Sequence, residues 1–152
     1  MHRLLFVCLG NICRSPLAEG VFSQVALARG LAVTVDSAGT SNWHVGRAPD
    51  VRSQEIAARY GLDIRQQRAR QIAEADFTRF DLILAMDEDN LRELQRRSES
   101  AGRARLALML DYAPQLGLRS VPDPYYGTLE DFEETYRLVL AASEGLAAHL
   151  AG

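Results

Sequence analysis

Short apolar runs alternate along the chain with longer segments in which apolar residues recur every three or four positions. Short runs of this kind are typical of buried strands, whereas the wider spacing is typical of helices that bury one face. The runs predict four strands, at residues 4–7, 32–35, 81–86 and 106–110. The spaced segments predict helices at residues 16–29, 48–61, 73–79, 87–98 and 129–150.

The first predicted helix has signals at both of its ends. Ser15 is a preferred N-cap residue, and Pro16 suits the first helical position because the N–H that it lacks would have no partner there. Gly30 suits the position after the last helical turn, where the backbone becomes left-handed. The apolar stripe between these ends consists of Leu17, Val21, Val25 and Ala28. After the fourth helix, residues 98–105 are predicted to form a polar surface loop.

Strands that are separated by helices predict right-handed βαβ units and therefore a parallel sheet. The expected fold class is α/β, with one doubly wound four-stranded parallel sheet flanked by helices, of the flavodoxin-like or Rossmann-like kind. A length of 152 residues without repeats or linkers predicts a single domain over residues 1–152. Sheets of this kind bind ligands at the carboxyl ends of their strands, so functional residues are expected just after Val7, Asp36, Met86 and Leu110.

The composition limits which catalytic and anion-binding groups the protein can use. All 17 basic residues are arginine, and the sequence has no lysine. Schiff-base catalysis, pyridoxal sites and Walker-type phosphate loops all need a lysine amine, so these are excluded. An anion must therefore be bound by guanidinium groups, backbone N–H groups or a helix N-terminus.

Charge, hydropathy and cysteine content bear on the binding partners and the cellular compartment. The net charge of −3 and the scattered arginines argue against nucleic-acid binding, and no apolar run approaches the ~20 residues of a membrane span. Cys8 and Cys13 lie too close together to join distant parts of a fold. Without a secretion signal they indicate a cytoplasmic protein whose cysteines serve chemistry. The three histidines lack the spacing of metal ligands, so no metal or cofactor is expected.

The segment after the first strand carries the most informative pattern. Cys8 and Arg14 are separated by five residues, and a predicted helix follows directly. Gly10 and Asn11 tolerate the left-handed backbone that turns successive N–H groups toward an anion. Arg14 can bind two phosphate oxygens at once, and the positive surroundings favour a Cys8 thiolate, to which the Ser15 hydroxyl can donate. Taken alone, the spacing also fits a buried cysteine and a surface arginine.

A thiolate in an anion-binding loop predicts phosphoryl transfer to sulfur. Such a reaction needs an acid for the leaving oxygen and later a base for water. Asp123 is the candidate, because Pro122 and Pro124 stiffen the loop on both sides of it. Tyr125 and Tyr126 follow directly and present aromatic faces suited to an aromatic substrate.

With these residues in view, the sequence resembles the low-molecular-weight protein tyrosine phosphatases over essentially the whole chain. The resemblance rests on five segments, of which the first and last together are highly specific. They are Val7-Cys8-Leu9-Gly10-Asn11-Ile12-Cys13-Arg14-Ser15-Pro16, residues 36–40 with Trp43, residues 68–72, residues 86–88 and Asp123-Pro124-Tyr125-Tyr126.

The resemblance implies a role for each matching residue. Cys8 corresponds to the nucleophile that becomes phosphocysteine, Arg14 to the phosphate clamp, and Asp123 to the general acid and base. The phosphate-binding loop is completed by Leu9, Gly10, Asn11, Ile12, Cys13 and Ser15. Ser37 corresponds to the serine that braces Asn11, and Trp43, Tyr125 and Tyr126 to the substrate slot. Cys13 corresponds to a second loop cysteine that can form a disulfide with the nucleophile.

One departure from the family concerns the network that braces the loop. The family often has a histidine where this chain has Gln67, and the glutamine is expected to replace it as a neutral hydrogen-bond partner. Three further polar residues have simpler expected roles. Glu19 complements the dipole of the first helix, Asp87 caps a helix or supports the site from behind, and His44 lies in an exposed loop.

The implied function is hydrolysis of phosphotyrosine in proteins and of small aryl phosphates, with inorganic phosphate or vanadate as competitive ligands. Three alternatives remain open. A protein-arginine phosphatase on the same scaffold has a threonine where this chain has Ile12. An arsenate reductase needs two more cysteines downstream, which are absent here. A non-catalytic phosphate-binding module would lose Cys8, Arg14 or Asp123, all of which are present.

Overall fold

The described residues include four parallel strands in one sheet, in which the second strand of the chain is followed by the first, third and fourth. The structure is a computed structural model that describes residues 1–98 and 102–152. The strands are β1 (His2–Cys8), β2 (Val33–Gly39), β3 (Leu82–Ala85) and β4 (Arg105–Leu108). The chain runs outward from β1 to β2 and then crosses to β3 on the other side, so strand order reverses between β1 and β3. The predicted doubly wound parallel sheet is confirmed, and its switch point lies at the carboxyl end of β1.

Within the described residues, five α-helices flank the sheet. They are α1 (Arg14–Ala28), α2 (Val51–Arg59), α3 (Asp76–Arg79), α4 (Glu88–Arg97) and α5 (Leu129–Ala151). Two 3₁₀ turns, Met109–Tyr112 and Pro114–Leu116, follow β4. No helix within the described ranges is both long enough and apolar enough to cross a membrane.

The start of α1 differs from the sequence prediction. Cys13 is the N-cap residue, and Ser15 and Pro16 lie inside the first helical turn. Ser15 cannot cap the helix because its hydroxyl lies 3.0 Å from the sulfur of Cys8. The prediction at the other end is confirmed, since Gly30 has a left-handed φ of +68°.

Strand boundaries also differ, and the ends of β2 and β4 have a clear physical reason. β2 continues through the polar Asp36 and Ser37 to Gly39, because these residues pair in register with the end of β1. β4 ends at Leu108, because the carboxylate of Asp111 accepts the Leu108 N–H and starts a 3₁₀ turn. In the predicted polar loop at 98–105, residues 99–101 lie outside the described residues, and Gly102 and Arg103 are exposed.

Apolar side chains of β1 are buried on both faces of the sheet. Leu4 and Phe6 pack in the larger cluster, beneath α1 and α5, and Leu5 and Val7 pack in the smaller one, beneath α3 and α4. A strand that is buried on both faces and paired on both edges is held firmly, so the residue at its end, Cys8, has a fixed position.

Helix α5 approaches the 3₁₀ turn Met109–Tyr112 very closely. A Cβ at Gly145 would lie 1.8 Å from the carbonyl oxygen of Tyr112, which leaves no room for any side chain. A glycine in the middle of a helix lowers stability by about 0.5–1 kcal/mol relative to alanine. Here the absence of a side chain permits the close approach.

Candidate active site

The loop that follows β1 curves back on itself before α1 begins. Asn11, in the middle of the loop, has a left-handed φ of +58°, and it is the only described residue other than glycine with a positive φ. Gly39, at the end of β2, leaves space for this curve, since a Cβ there would lie 2.8 Å from the carbonyl oxygen of Leu9.

Neighbouring elements bind the carbonyl oxygens of this loop. The donors are backbone N–H groups, with one serine hydroxyl at the last position. The pairs are Thr40 N to Cys8 O at 2.9 Å, Ser41 N to Leu9 O at 3.0 Å, Asp50 N to Ile12 O at 2.8 Å and Ser53 Oγ to Cys13 O at 3.2 Å. In a trans peptide the N–H points opposite to the C=O, so carbonyls that point outward turn the N–H groups of the following residues inward. The loop therefore forms an anion-binding nest above Cys8.

A chain of hydrogen bonds runs behind the loop to the nucleophile candidate. The Asn11 side-chain amide donates to Ser15 Oγ at 2.8 Å and to Ser37 Oγ at 3.0 Å. Because the Ser15 oxygen already accepts from Asn11, its own proton is available for the Cys8 sulfur, 3.0 Å away. Asn11 is fixed at its other end as well, since its oxygen accepts the Arg70 N–H at 3.0 Å.

Arg14 is almost completely buried, with 2% of its side chain exposed. Its NH1 donates to the Asp87 carboxylate at 2.7 Å and to the Val121 carbonyl at 2.9 Å. Its NH2 lies 3.5 Å from Asp123 Oδ2, and its Nε has no hydrogen-bond partner among the described residues. A buried donor without a partner is costly, and an anion in the nest would satisfy it.

These side chains surround a cavity of about 260 Å³. Its floor and walls come from the loop after β1, Arg14 and Asp123, and its rim comes from aromatic side chains. The rim is exposed, since 68% of Trp43, 37% of Tyr125 and 96% of Tyr126 is accessible to solvent. Of the predicted site residues, those in the cavity are Cys8, Leu9, Gly10, Ile12, Cys13, Arg14, Asp123, Trp43, Tyr125 and Tyr126. Asn11, Ser15 and Ser37 are joined to it by the hydrogen bonds described above.

Comparison with known proteins identifies the family. A family model described as "Low molecular weight phosphotyrosine protein phosphatase" matches residues 3–152. The chain belongs to this family. One relative is the low molecular weight protein-tyrosine-phosphatase YfkJ of Bacillus subtilis, which is 41% identical over 152 residues, or 99% of this chain and 96% of the relative.

Solved structures of other members have the same fold. A crystal structure of a protein tyrosine phosphatase from Entamoeba histolytica, with Hepes in the active site, has a TM-score of 0.94 and 37% identity. It covers 99% of this chain and 97% of its own. A crystal structure of a drosophila arginine phosphatase has a TM-score of 0.93 and 32% identity, and the match covers 98% of both chains. This phosphatase scaffold therefore occurs with more than one stated substrate.

Within the phosphatase, three polar residues have larger roles than the sequence indicated. Asp87 caps α4 through Oδ1, at 2.7 Å from the Asn90 N–H, and binds Arg14 through Oδ2. Glu19 Oε1 accepts a hydrogen bond from the Ser37 hydroxyl at 2.7 Å. His44 lines the cavity and packs against Gly10, where a Cβ would lie 2.9 Å from the imidazole. The Val121 carbonyl has no sequence signal, because any residue has a backbone oxygen.

The expected replacement of the family histidine by Gln67 takes a different form. Gln67 donates its amide to the Pro16 carbonyl at 3.1 Å, and its own oxygen is buried without a partner among the described residues. Gln67 therefore does not bind Ser37, whose hydroxyl donates to Glu19 instead. In this phosphatase a carboxyl group of α1 therefore ends the hydrogen-bond chain that begins at Cys8.

Two buried groups, Cys13 in the loop and Glu19 behind it, have pKa values shifted toward their neutral forms. Burial, together with the Asp50 charge, raises the pKa of the Cys13 thiol well above its usual range. Burial also raises the pKa of Glu19 to about 7; the Ser37 hydrogen bond lowers it, and the Asp36 charge raises it further. Cys13 is therefore a neutral thiol in the loop, and Glu19 titrates near neutral pH.

Glu19→Gln should change how stability depends on pH. In the wild type the unfolded chain loses the Glu19 proton near pH 4.5, whereas the folded protein keeps it to about pH 7. The free energy of unfolding therefore contains a contribution that is full below pH 4.5 and falls away as the pH rises to about 7. A glutamine at this position can accept the Ser37 hydrogen bond but does not titrate. The stability of the variant should therefore lack this decrease with pH.

Urea unfolding of both proteins at pH 4.5 and pH 7.5 measures this contribution. The variant should gain stability relative to the wild type at the higher pH, by up to ~3 kcal/mol. A difference in unfolding free energy that is the same at both pH values would contradict the assignment.

Proposed function

We propose that residues 1–152 form one protein tyrosine phosphatase domain that hydrolyses phosphotyrosine through a phosphocysteine intermediate on Cys8. The main support for this proposal is the anion site above the Cys8 sulfur. Loop N–H groups point into this site, and the buried Arg14 has an Nε without a partner among the described residues. Inorganic phosphate and vanadate are the expected competitive ligands of that site, and a phosphoprotein of the cytoplasm is the expected substrate.

In the first step the Cys8 thiolate attacks phosphorus in line with the leaving tyrosine oxygen. The P–S bond forms as the P–O bond breaks, while the loop N–H groups and the Arg14 guanidinium bind the equatorial oxygens. Asp123 donates its proton to the departing phenolate oxygen. Its carboxyl group is within reach of this site, because Asp123 Oδ2 lies 3.5 Å from Arg14.

In the second step water attacks the phosphocysteine. Asp123, now a carboxylate, takes the proton of the water as the new P–O bond forms and the P–S bond breaks. The thiolate leaves, and the Ser15 hydroxyl at 3.0 Å stabilises its charge by hydrogen bonding. Inorganic phosphate then dissociates and the enzyme is restored.

The rim of the cavity favours an aromatic phosphate. Tyr125 and Tyr126 stand edge to face at 4.9 Å, and Trp43 lies on the same rim, so a phenol ring can enter between aromatic faces. Ile12 lines the cavity with an apolar side chain, which offers no hydrogen bond to a guanidinium. These features support phosphotyrosine over phosphoarginine as the substrate.

Cys8→Ser should abolish hydrolysis of an aryl phosphate, because a hydroxyl in this nest is a far weaker nucleophile than a thiolate. Phosphate binding should survive, since the loop N–H groups and Arg14 are unchanged. Release of 4-nitrophenol and calorimetric titration with phosphate measure the two effects. Turnover by Cys8→Ser above the uncatalysed rate would refute the assignment of the nucleophile.

Asp123→Ala should slow transfer from a substrate with a poor leaving group by roughly 10²–10⁴-fold, the range for lost general acid catalysis. A nitrophenyl phosphate should be affected less, because its leaving oxygen needs less protonation. The comparison of kcat/KM for phenyl phosphate and 4-nitrophenyl phosphate tests this. Equal losses for both substrates would show that Asp123 does not donate the proton.

A substrate panel tests the proposed specificity. Matched peptides with phosphotyrosine, phosphoserine or phosphoarginine are assayed for phosphate release, with and without vanadate. Phosphotyrosine should be preferred and vanadate should inhibit, and Ile12→Thr should raise the relative rate with phosphoarginine. A preference of the wild type for phosphoarginine would reverse the proposal in favour of an arginine phosphatase.

A further inference from the structure

Arg52 lies outside the cavity, in the second position of α2, and binds the cap of its own helix. Its guanidinium forms a bidentate pair with Asp50, with Nε at 3.0 Å from Oδ1 and NH2 at 2.9 Å from Oδ2. Asp50 is itself attached to the phosphate-binding loop, since its N–H donates to the Ile12 carbonyl at 2.8 Å. One edge of the guanidinium is therefore anchored to the loop that carries the nucleophile.

The other donors of Arg52 bind the loop that carries Asp123. NH2 also donates to the Tyr125 carbonyl at 2.9 Å, and NH1 donates to the Gly127 carbonyl at 3.2 Å. The guanidinium carbon lies 4.3 Å from the ring centre of Phe132 on α5, within the range of a cation–π contact. A single side chain thus joins three elements around the cavity.

The Tyr125 backbone connects Arg52 to the proposed acid. The Tyr125 N–H donates to Asp123 Oδ1 at 3.1 Å, and the Tyr125 carbonyl accepts from Arg52. The N–H that orients the carboxyl group and the carbonyl that binds Arg52 belong to the same residue. A shift of this residue would move the carboxyl group relative to Cys8.

We propose that Arg52 is a positioning residue for proton transfer, which holds the 123–127 loop against the phosphate-binding loop so that Asp123 reaches the leaving oxygen. This inference rests on the proposed function, in which Asp123 is the general acid. A loss of alignment of about 1 Å can cost as much as 10²-fold in rate even when no reacting group is removed.

Lysine cannot replace Arg52 in this position. The planar guanidinium binds both Asp50 oxygens along one edge while its remaining N–H groups reach two carbonyls and its face covers Phe132. An ammonium group is a single point with no planar face, so it can bind Asp50 or the carbonyls but cannot reproduce the whole arrangement.

The test uses Arg52→Met, which removes the donors, and Arg52→Lys, which keeps the charge. For both variants, kcat/KM for phenyl phosphate should fall about 10-fold or more beyond any fall for 4-nitrophenyl phosphate, because protonation of a poor leaving group is lost selectively. The inhibition constant of phosphate should stay within about twofold, because the anion nest is intact. An equal fall for both substrates, or no fall, would overturn the inference.

Arg59→Met is the matched control. Arg59 lies on the same helix and pairs with Glu133 of α5, so its loss weakens the contact between α2 and α5 without touching the 123–127 loop. This variant should keep the leaving-group dependence of the wild type. The same selective loss in Arg59→Met would show that general loosening of α2, and not Arg52 itself, affects the acid.

A double-mutant cycle with Asp123→Ala gives the second measurement. If Arg52 acts through Asp123, then Arg52→Met should cost little further in kcat/KM once the carboxyl group is absent. Additive losses would refute the inference. Both results are distinct from a failure of the proposed function, in which the wild type itself would not hydrolyse aryl phosphates.

Discussion

The direction of the peptide groups after β1 is the constraint on which the rest of the site depends. Several N–H groups must converge on one point, although their positive ends repel one another when no anion is present. The repulsion is offset on the other side of each peptide, where donors from the segment after β2, from the N-cap of α2 and from α2 itself bind the carbonyls. The left-handed backbone at Asn11 and the glycine at position 39 allow the chain to adopt this curve.

A second balance concerns charge. Arg14 is buried and pairs with the Asp87 carboxylate at 2.7 Å, so its charge is compensated before any substrate arrives, and Asp123 lies 3.5 Å from it. The three groups come from α1, from the N-terminus of α4 and from the 123–127 loop, and the switch point of the sheet brings these segments together. A phosphate that enters the nest meets a guanidinium already fixed in orientation. The entropy of ordering that long side chain belongs to folding and not to binding.

Sequence patterns predicted much of this arrangement. The strands and their parallel direction followed from the apolar runs, Cys8 and Arg14 from their spacing, and Asp123 from its place between two prolines. The predicted N-cap of α1 was wrong because Ser15 has two possible partners, the helix N-terminus and the Cys8 sulfur. Only the tertiary structure decides between them. Glu19 was assigned to a helix dipole because its acceptor role depends on Ser37, which is distant in the chain. Contacts made by the Val121, Tyr125 and Gly127 carbonyls leave no trace in side-chain identity.

The exposed aromatic rim has a consequence for how this enzyme can diverge. Trp43 and Tyr126 lie on loops that contribute no side chain to the hydrogen-bond chain running from Cys8 through Ser15 and Asn11 to Glu19. The rim side chains can therefore be substituted while the catalytic reaction is retained. Changes in phosphoprotein preference are therefore expected at the rim, whereas substitutions in the buried network beneath it would disturb the reaction itself.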